Sequence, residues 1–169
     1  MKPKLQMLWD AFPDHIRYPT MRELYMMLGG AAAKNIDAPG FGPNGNTCAS
    51  RLSIAFNNGG APIRLPIGGE QAITAADGSR IIFRVADFRH YLLRTLGKPK
   101  IDNTSPYDHA FRGIRGIIAF SVNWQGATGH IALWNGVSYR EPEHDNYATY
   151  VNPTYPKIRT SLGEFWELP

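Results

Sequence analysis

A lone cysteine is the residue of this chain best suited to covalent chemistry. Cys48 is the only cysteine, so it cannot form an internal disulfide or a multi-cysteine metal site. It lies in the first turn of a predicted helix, where unpaired N–H groups and the helix dipole stabilise an anion such as a thiolate. Position alone leaves two interpretations equally open, namely a reactive thiolate and a small buried apolar residue.

A distant histidine favours the reactive interpretation of Cys48. His130 opens a predicted strand directly after the glycine-bearing loop 125–129, at a sheet edge of the kind where active sites are often built. An imidazole beside a thiolate supports attack of the sulfur on an amide carbonyl and then protonates the leaving amine. The Cys48 N–H and the side chain of Asn46 are candidate donors to the oxyanion, with N-capping as the stronger role for Asn46.

A hairpin predicted after His130 places a carboxylate beside the imidazole. If the Asn-Gly pair at 135–136 forms a two-residue turn, His130 faces Glu141, and the Cβ atoms of facing residues lie about 5 Å apart. The carboxylate would orient the imidazole as the third member of a Cys-His-acid triad, although a cross-strand surface pair is the structural alternative. A register slip would move the role to Glu143 or Asp145.

Two tryptophans near His130 are candidate ligand contacts. Strand alternation points His130, Ala132 and Trp134 to one face, and the small Ala132 leaves room there for a peptide. Trp124 precedes the same strand, although tryptophans more often belong to a core or its rim. The remaining histidines lack the spacing of metal ligands. We therefore expect no metal and no cofactor, and structural or surface roles for His15, His90, His109 and His144.

Hydrophobic periodicity and turn residues predict the elements that position these side chains. A capping-box pattern at Thr20 begins the first helix. Helices are predicted over 21–28, 48–56 and 88–96, strands over 80–85, 116–122, 130–134 and 137–140, and a final edge strand over 165–168. The glycine- and proline-rich segment 38–45 is predicted to be an irregular loop. Helices that precede an antiparallel sheet indicate an α+β fold.

Length and composition limit the possible classes of protein. The 169 residues predict a single domain over 1–169, and contents of 43% hydrophobic and 19% charged residues exclude intrinsic disorder. The net charge of +4 comes from scattered basic residues, which argues against nucleic-acid binding. No apolar run reaches the roughly 18 residues that span a bilayer, so we expect no membrane insertion. The N-terminus lacks the apolar core of a secretory signal peptide.

Short segments in a characteristic order resemble the fourth family of type VI secretion amidase effectors. They are residues 29–30 with 34–36, 46–53, 60–63, 83–87, 96–99, 113–118, 129–136 and 165–169. The resemblance implies a papain-like, NlpC/P60-like fold with N-terminal helices packed on an antiparallel sheet. It also implies cleavage of the amide between γ-D-glutamate and meso-diaminopimelate in peptidoglycan stem peptides.

The resemblance assigns residue roles as well. It places the nucleophile on Cys48, the general base on His130 and the third catalytic residue, usually Asp, on Glu141. The Glu is one departure from the family. A second is that this chain has no cysteine in the segment after the hairpin, where some members form a disulfide, so residues 140–150 are expected to be looped differently.

The resemblance further implies a biological setting. An effector of this kind is secreted by the type VI machinery without a signal peptide and acts in the periplasm of the recipient cell. Its expected partners are a peptidoglycan stem peptide and a cognate immunity protein that occludes the cleft. A papain-like deamidase or acyltransferase that acts on a protein substrate is the alternative, because the first half-reaction is shared.

Overall fold

The structure is a computed structural model that describes residues 1–38, 46–64, 68–125 and 127–169. Residues 39–45 of the irregular loop predicted at 38–45 lie outside the described residues. The helices are α1 Leu5–Ala11, α2 Met21–Leu28, α3 Gly30–Lys34, α4 Cys48–Asn58, α5 Val85–Leu96 and α6 Pro142–Asp145. The strands are β1 Ala72–Thr74, β2 Arg80–Ile82, β3 Lys100–Asp102, β4 Gly116–Val122, β5 Gly129–Trp134 and β6 Thr160–Glu167, and a 3-10 turn covers His109–Phe111.

The strands form two antiparallel sheets, which confirms the α+β prediction. β1 pairs with β2, and the larger sheet has the strand order β3-β6-β4-β5. The prediction of a C-terminal edge strand over 165–168 is wrong in position, because β6 lies between β3 and β4. β6 is also longer than predicted, since its pairing with β4 extends back to Thr160. The true edge next to β4 is β5, the strand that carries His130.

Helix α4 is buried along most of its length. Every residue from Cys48 to Phe56 is buried, whereas the sequence predicted only one apolar stripe. Its polar side chains are hydrogen-bonded, as burial requires. The Ser50 hydroxyl lies 2.8 Å from the Tyr25 hydroxyl, and the Ser53 hydroxyl donates to the carbonyl of Ile82 at 2.8 Å. α4 therefore forms a central support with Cys48 at its start.

The connection after β5 is wider than the predicted two-residue turn. A type I′ turn needs positive φ at both central residues, and in the described part of the chain only glycines have positive φ. Instead, Asn135 Oδ1 accepts hydrogen bonds from the backbone N–H groups of Val137 at 2.9 Å and Ser138 at 2.8 Å. Trp134 therefore pairs with Tyr139 rather than with Val137.

This shift of two residues changes the surroundings of Glu141. The strand predicted over 137–140 reduces to a bridge, and Pro142 then begins α6 at a position where proline is well tolerated. Glu141 becomes the N-cap residue of α6. The prediction that Glu141 faces His130 across a hairpin is therefore wrong.

No helix within 1–38, 46–64, 68–125 and 127–169 combines the length and apolarity needed to cross a membrane.

The start of β5 depends on close contact with β4. His130 pairs with Phe120 and Gly129 with Ser121, and a Cβ atom built on Gly129 would overlap the carbonyl oxygen of Phe120. Only glycine therefore fits directly before His130 without a shift of the backbone.

We expect Gly129→Ala to lower the free energy of unfolding by about 1–3 kcal/mol, the usual cost of overpacking a buried site. Urea unfolding followed by tryptophan fluorescence measures this loss. Thr128→Ala is the matched control, because Thr128 is exposed. Equal unfolding midpoints for Gly129→Ala and the wild type would show that the sheet accepts the extra methyl group.

Candidate active site

A cleft of about 470 Å³ brings together the ends of α4, β5 and α6. Its walls include the predicted nucleophile and base, Cys48 and His130, and also Asp145, Trp124 and Tyr147. Cys48 and His130 are both 6% exposed. A reactive pair in this place is thus largely shielded from water but accessible from the cleft.

The side chains of Cys48 and His130 line the same cleft and lie close enough for the sulfur to affect the pKa of the imidazole. Burial of the imidazole opposes its protonation, but the negative charge of Cys48 and the hydrogen bonds to Asp145 and Cys48 outweigh burial. Together they raise the pKa of His130 to about 10. A protonated imidazole is the charge state that stabilises a neighbouring thiolate.

Asp145, rather than Glu141, is the acid beside His130. His130 Nε2 lies 2.9 Å from Asp145 Oδ1, and Asp145 is only 3% exposed. The second carboxylate oxygen, Oδ2, accepts the backbone N–H of Glu141 at 2.9 Å. Both oxygens are thus fixed, and the Asp145 carboxylate holds the imidazole ring in one orientation, which leaves Nδ1 for the Cys48 sulfur.

Glu141 contacts a different histidine in the same cleft. Its Oε2 accepts the backbone N–H of His15 at 2.8 Å, and its Oε1 lies 2.9 Å from His15 Nδ1. Burial raises the pKa of Glu141. The two hydrogen bonds from His15 and the nearby positive charge of Arg51 lower it, and together with the charge effect of His15 they outweigh burial, so the net shift of the pKa is downward. The register shift described above separates this carboxylate from His130. The alternative partner left open by the sequence, Asp145, takes that place.

Asn46 ties the start of α4 to the start of β5. Its Oδ1 accepts the Cys48 N–H at 3.0 Å, and its Nδ2 donates to the carbonyl of Gly129 at 3.1 Å. The two predicted oxyanion donors, the Cys48 N–H and the Asn46 amide, are thus occupied in this structure, the first of them by Asn46 itself. This bridge places Cys48 next to the strand that carries His130.

Arg51, which the sequence did not single out, lies one helical turn after Cys48. Arg51 is 1% exposed and donates to Thr47 Oγ1 at 2.8 Å and to the carbonyls of Pro13 at 2.8 Å and Tyr18 at 2.7 Å. Burial lowers the pKa of Arg51, although the charge of Glu141 opposes this shift. One feature of the sequence could have indicated a buried role for Arg51: it is a charged residue in a helix made mostly of apolar and small residues.

Aromatic side chains form one wall of the cleft. The Tyr147 ring lies 4.6 Å from the His130 ring, and Trp124 meets Tyr147 edge-on at 5.2 Å. The Trp124 indole also donates to the Tyr150 hydroxyl at 3.2 Å. Trp134, predicted as a second ligand contact, is instead 4% exposed and donates to the carbonyl of Phe111 at 3.0 Å. Strand β5 directs it into the core, away from this cleft.

The other histidines occupy three different environments. His90 Nδ1 pairs with Glu70 Oε1 at 2.9 Å, and His109 is an exposed residue of the 3-10 turn. His15 and His144 stack with ring centroids 3.8 Å apart. Together with Glu141 they offer ligand atoms that all lie within 4.8 Å of one another. No local pattern signals this cluster, because His15 belongs to a segment distant from Glu141 and His144 in the sequence.

One family of known proteins matches most of this chain. The model of the family described as type VI secretion system (T6SS), amidase effector protein 4 (Tae4), matches residues 44–161. A comparison with curated proteins found no match.

Solved structures match along nearly the whole chain. A chain of the effector–immunity complex Tae4–Tai4 from Enterobacter cloacae is 29% identical, with 100% of both chains covered and a TM-score of 0.80. For the Tae4 effector from Salmonella typhimurium in complex with the immunity protein Tai4 from Enterobacter cloacae, the values are 30% identity, 99% and 100% coverage and a TM-score of 0.79. Tae4 from Enterobacter cloacae is 30% identical, with 100% of this chain and 98% of that chain covered and a TM-score of 0.78. The similarity confirms the expected papain-like α+β fold.

We expect the pKa of His130 to fall in a Cys48→Ala variant. The charge of Cys48 and its hydrogen bond both raise this pKa, whereas burial lowers it. Removal of the sulfur leaves burial opposed only by Asp145, so the pKa should drop from its value of about 10. NMR titration of labelled histidines measures the change, and the signals of exposed His109 are the internal control. A pKa of His130 still near 10 in this variant would show that Asp145 alone accounts for the upward shift.

Proposed function

The chain belongs to the Tae4 family of type VI secretion amidase effectors, and from this membership we propose that it is a cysteine amidase with the triad Cys48, His130 and Asp145. The proposed reaction is hydrolysis of the amide between γ-D-glutamate and meso-diaminopimelate in peptidoglycan stem peptides. The observation that carries the proposal is that Cys48, His130 and Asp145 meet in one cleft, with His130 Nε2 2.9 Å from Asp145 Oδ1.

In the first half-reaction, the Cys48 thiolate attacks the γ-carbonyl carbon of D-glutamate. The carbonyl electron pair moves to oxygen, and when it returns the C–N bond breaks. His130 gives its proton to the departing nitrogen, so that diaminopimelate leaves as a neutral amine. A thioester between Cys48 and the glutamyl group remains.

In the second half-reaction, water hydrolyses the thioester. Neutral His130 takes one proton of the water while the oxygen attacks the acyl carbon, and the thiolate leaves. The products are a glutamate carboxyl group, which loses its proton to solvent, and the restored thiolate–imidazolium pair. Asp145 keeps the imidazole oriented and stabilises its positive charge in both steps.

Developing charge on the substrate oxygen needs a donor near the sulfur. The Cys48 N–H is the donor closest to this position in the chain, and it currently donates to Asn46 Oδ1. Binding of the oxyanion at this N–H therefore requires the substrate oxygen to displace Asn46 Oδ1. Asn46 keeps its other bond, to the carbonyl of Gly129, so the two elements stay connected during this exchange.

We further propose that the aromatic wall binds the stem peptide. Trp124 is partly exposed and braced by its hydrogen bond to Tyr150, so it presents a fixed apolar face toward the cleft. An extended peptide with methyl and methylene groups would bury this face on binding.

The proposed partner in the producing cell is a cognate immunity protein that occludes the cleft, and the proposed site of action is the periplasm of the recipient cell. Both follow from the family, whose similar structures include effector–immunity complexes. A protein that fills the cleft would separate Cys48 from its substrate without any change in the triad.

Muropeptide digestion followed by mass spectrometry tests the reaction and the acid together. We expect the wild type to release fragments cut after γ-D-glutamate and Cys48→Ala to release none. Asp145→Asn should lower turnover about 10²- to 10⁴-fold, the usual contribution of an oriented acid–base group. Glu143→Gln is the matched control on the same helix, and since Glu143 is exposed, its turnover should equal the wild-type value.

Three outcomes would contradict the proposal. Equal losses for Asp145→Asn and Glu143→Gln would remove the special role of Asp145. Release of free ammonia without cleavage of the peptide would indicate a deamidase. A Cys48→Ala variant that still cuts would exclude Cys48 as the nucleophile.

Loss of the Trp124 ring should weaken substrate binding more than chemistry. We expect Trp124→Ala to raise KM about tenfold, because burial of one large side chain contributes roughly 1.5–3 kcal/mol. Trp124→Phe keeps a ring and should lie between the two. Unchanged KM in steady-state kinetics with a purified muropeptide would exclude this wall from the substrate site.

A further inference from the structure

We propose that His15, Glu141 and His144 bind one divalent transition-metal ion, with Zn²⁺ as the best-matched class, at the mouth of the cleft. These three residues are called the rim cluster below. They lie outside the proposed triad, although they share its cleft.

The spacing of two members is typical of metal ligands on a helix. Glu141 is the N-cap residue of α6 and His144 is the third residue of that helix. Glu-x-x-His is the spacing used by helical carboxylate metal sites, and here the N-cap residue, whose backbone is not helical, takes the first place. α6 therefore presents one carboxylate and one imidazole toward the same point.

His15, the third member of the rim cluster, is already in contact with Glu141. The backbone N–H of His15 donates to Glu141 Oε2, and His15 Nδ1 lies 2.9 Å from Glu141 Oε1. The three ligand atoms all lie within 4.8 Å of one another. Zinc holds nitrogen and oxygen ligands at about 2.0–2.2 Å, so neighbouring ligand atoms lie about 3.4 Å apart in a tetrahedral site. The His15–Glu141 edge, at 2.9 Å, must therefore widen slightly, and any separation longer than about 3.4 Å must shorten.

His144 can supply this contraction. Its ring stacks on that of His15 with an interplanar angle of 10°, and nitrogen lone pairs lie in the ring planes, so parallel rings cannot both point at one ion. His144 is exposed, and its ring can turn about its side-chain bonds without disturbing the core. His15 and Glu141, which are less exposed, form the fixed half of the site.

The donor set selects the class of ion. Two imidazoles and one carboxylate suit zinc and its neighbours in the transition series, whereas calcium and magnesium prefer oxygen ligands alone. Three protein ligands leave a fourth position open toward the cleft. The positive charge of Arg51 acts on Glu141 and weakens the attraction of this carboxylate for a cation. We therefore expect binding in the micromolar rather than the nanomolar range.

An ion in the rim cluster would affect the cleft in two ways. It would occupy the mouth that a peptide must enter to reach Cys48. It would also fix α6, whose last residue is Asp145 and whose N-cap N–H donates to Asp145 Oδ2 at 2.9 Å. Reversible inhibition of the amidase by zinc follows, and this consequence, unlike binding itself, rests on the proposed function.

Zinc could instead bind directly to the Cys48 thiolate and His130, so the binding test uses protein that lacks the thiol. Isothermal titration with zinc chloride is carried out on Cys48→Ala and on Cys48→Ala combined with His144→Ala. The matched control combines Cys48→Ala with His109→Ala, because His109 is also exposed but lies in the 3-10 turn. Circular dichroism shows that each variant is folded.

We expect Cys48→Ala to bind one zinc ion, His144→Ala to weaken Kd at least tenfold, and His109→Ala to leave Kd unchanged. No binding by Cys48→Ala, or equal Kd values for the two histidine variants, would overturn the rim site. These measurements need no amidase activity, so they decide the site even if the proposed reaction is wrong.

Muropeptide hydrolysis then tests the effect on the cleft. Zinc should inhibit the wild-type protein, and His144→Ala should need at least tenfold more zinc for half-inhibition relative to its own zinc-free rate. Equal sensitivity of the two proteins would overturn inhibition through the rim cluster and assign it to Cys48 and His130.

Discussion

The buried contact between Cys48 and His130 is the interaction on which the site depends. Taking two charges out of water costs several kcal/mol for each ion, and their attraction offsets this cost only with good geometry and further hydrogen bonds. Here Cys48 is the first residue of α4, where the helix dipole stabilises negative charge, and Asp145 Oδ1 lies 2.9 Å from His130 Nε2. The raised pKa of His130 shows that these interactions outweigh burial. Any change that separates the two side chains would leave Asp145 as the remaining charged partner of His130.

Much of the remaining fold holds the two side chains in place. α4 is surrounded on all sides from Cys48 to Phe56, and the Asn46 amide joins its start to the start of β5. Arg51 adds a second tie, since its guanidinium reaches the carbonyls of Pro13 and Tyr18. Helix and strand termini are usually the most mobile parts of their elements. In this protein the two termini that carry Cys48 and His130 are anchored by the side-chain hydrogen bonds of Asn46.

The sequence predicted the elements that depend on local structure. It did not predict the side-chain partners that depend on contacts between distant segments. The helix at Cys48 and the strand at His130 follow from periodicity and end signals, and both are present. The partner of His130 depended on the turn at Asn135, where two backbone N–H groups bind the side chain, and a shift of two residues exchanged Glu141 for Asp145. Contacts of Arg51 and His15 span distant parts of the sequence, and no local pattern signals them.

The four-residue helix α6 connects these features. A helix this short is not stable by itself, so its position must come from tertiary contacts. Glu141 supplies one of them, because its carboxylate accepts the backbone N–H of His15. Within α6, the Glu141 N–H fixes Asp145 Oδ2. The orientation of Asp145 beside His130 therefore depends on a segment near the N-terminus that contains no part of the proposed triad. It follows that residues 12–18, although remote in sequence, belong to the positioning apparatus of the site, and that a ligand bound at Glu141 acts on the same support that holds Asp145.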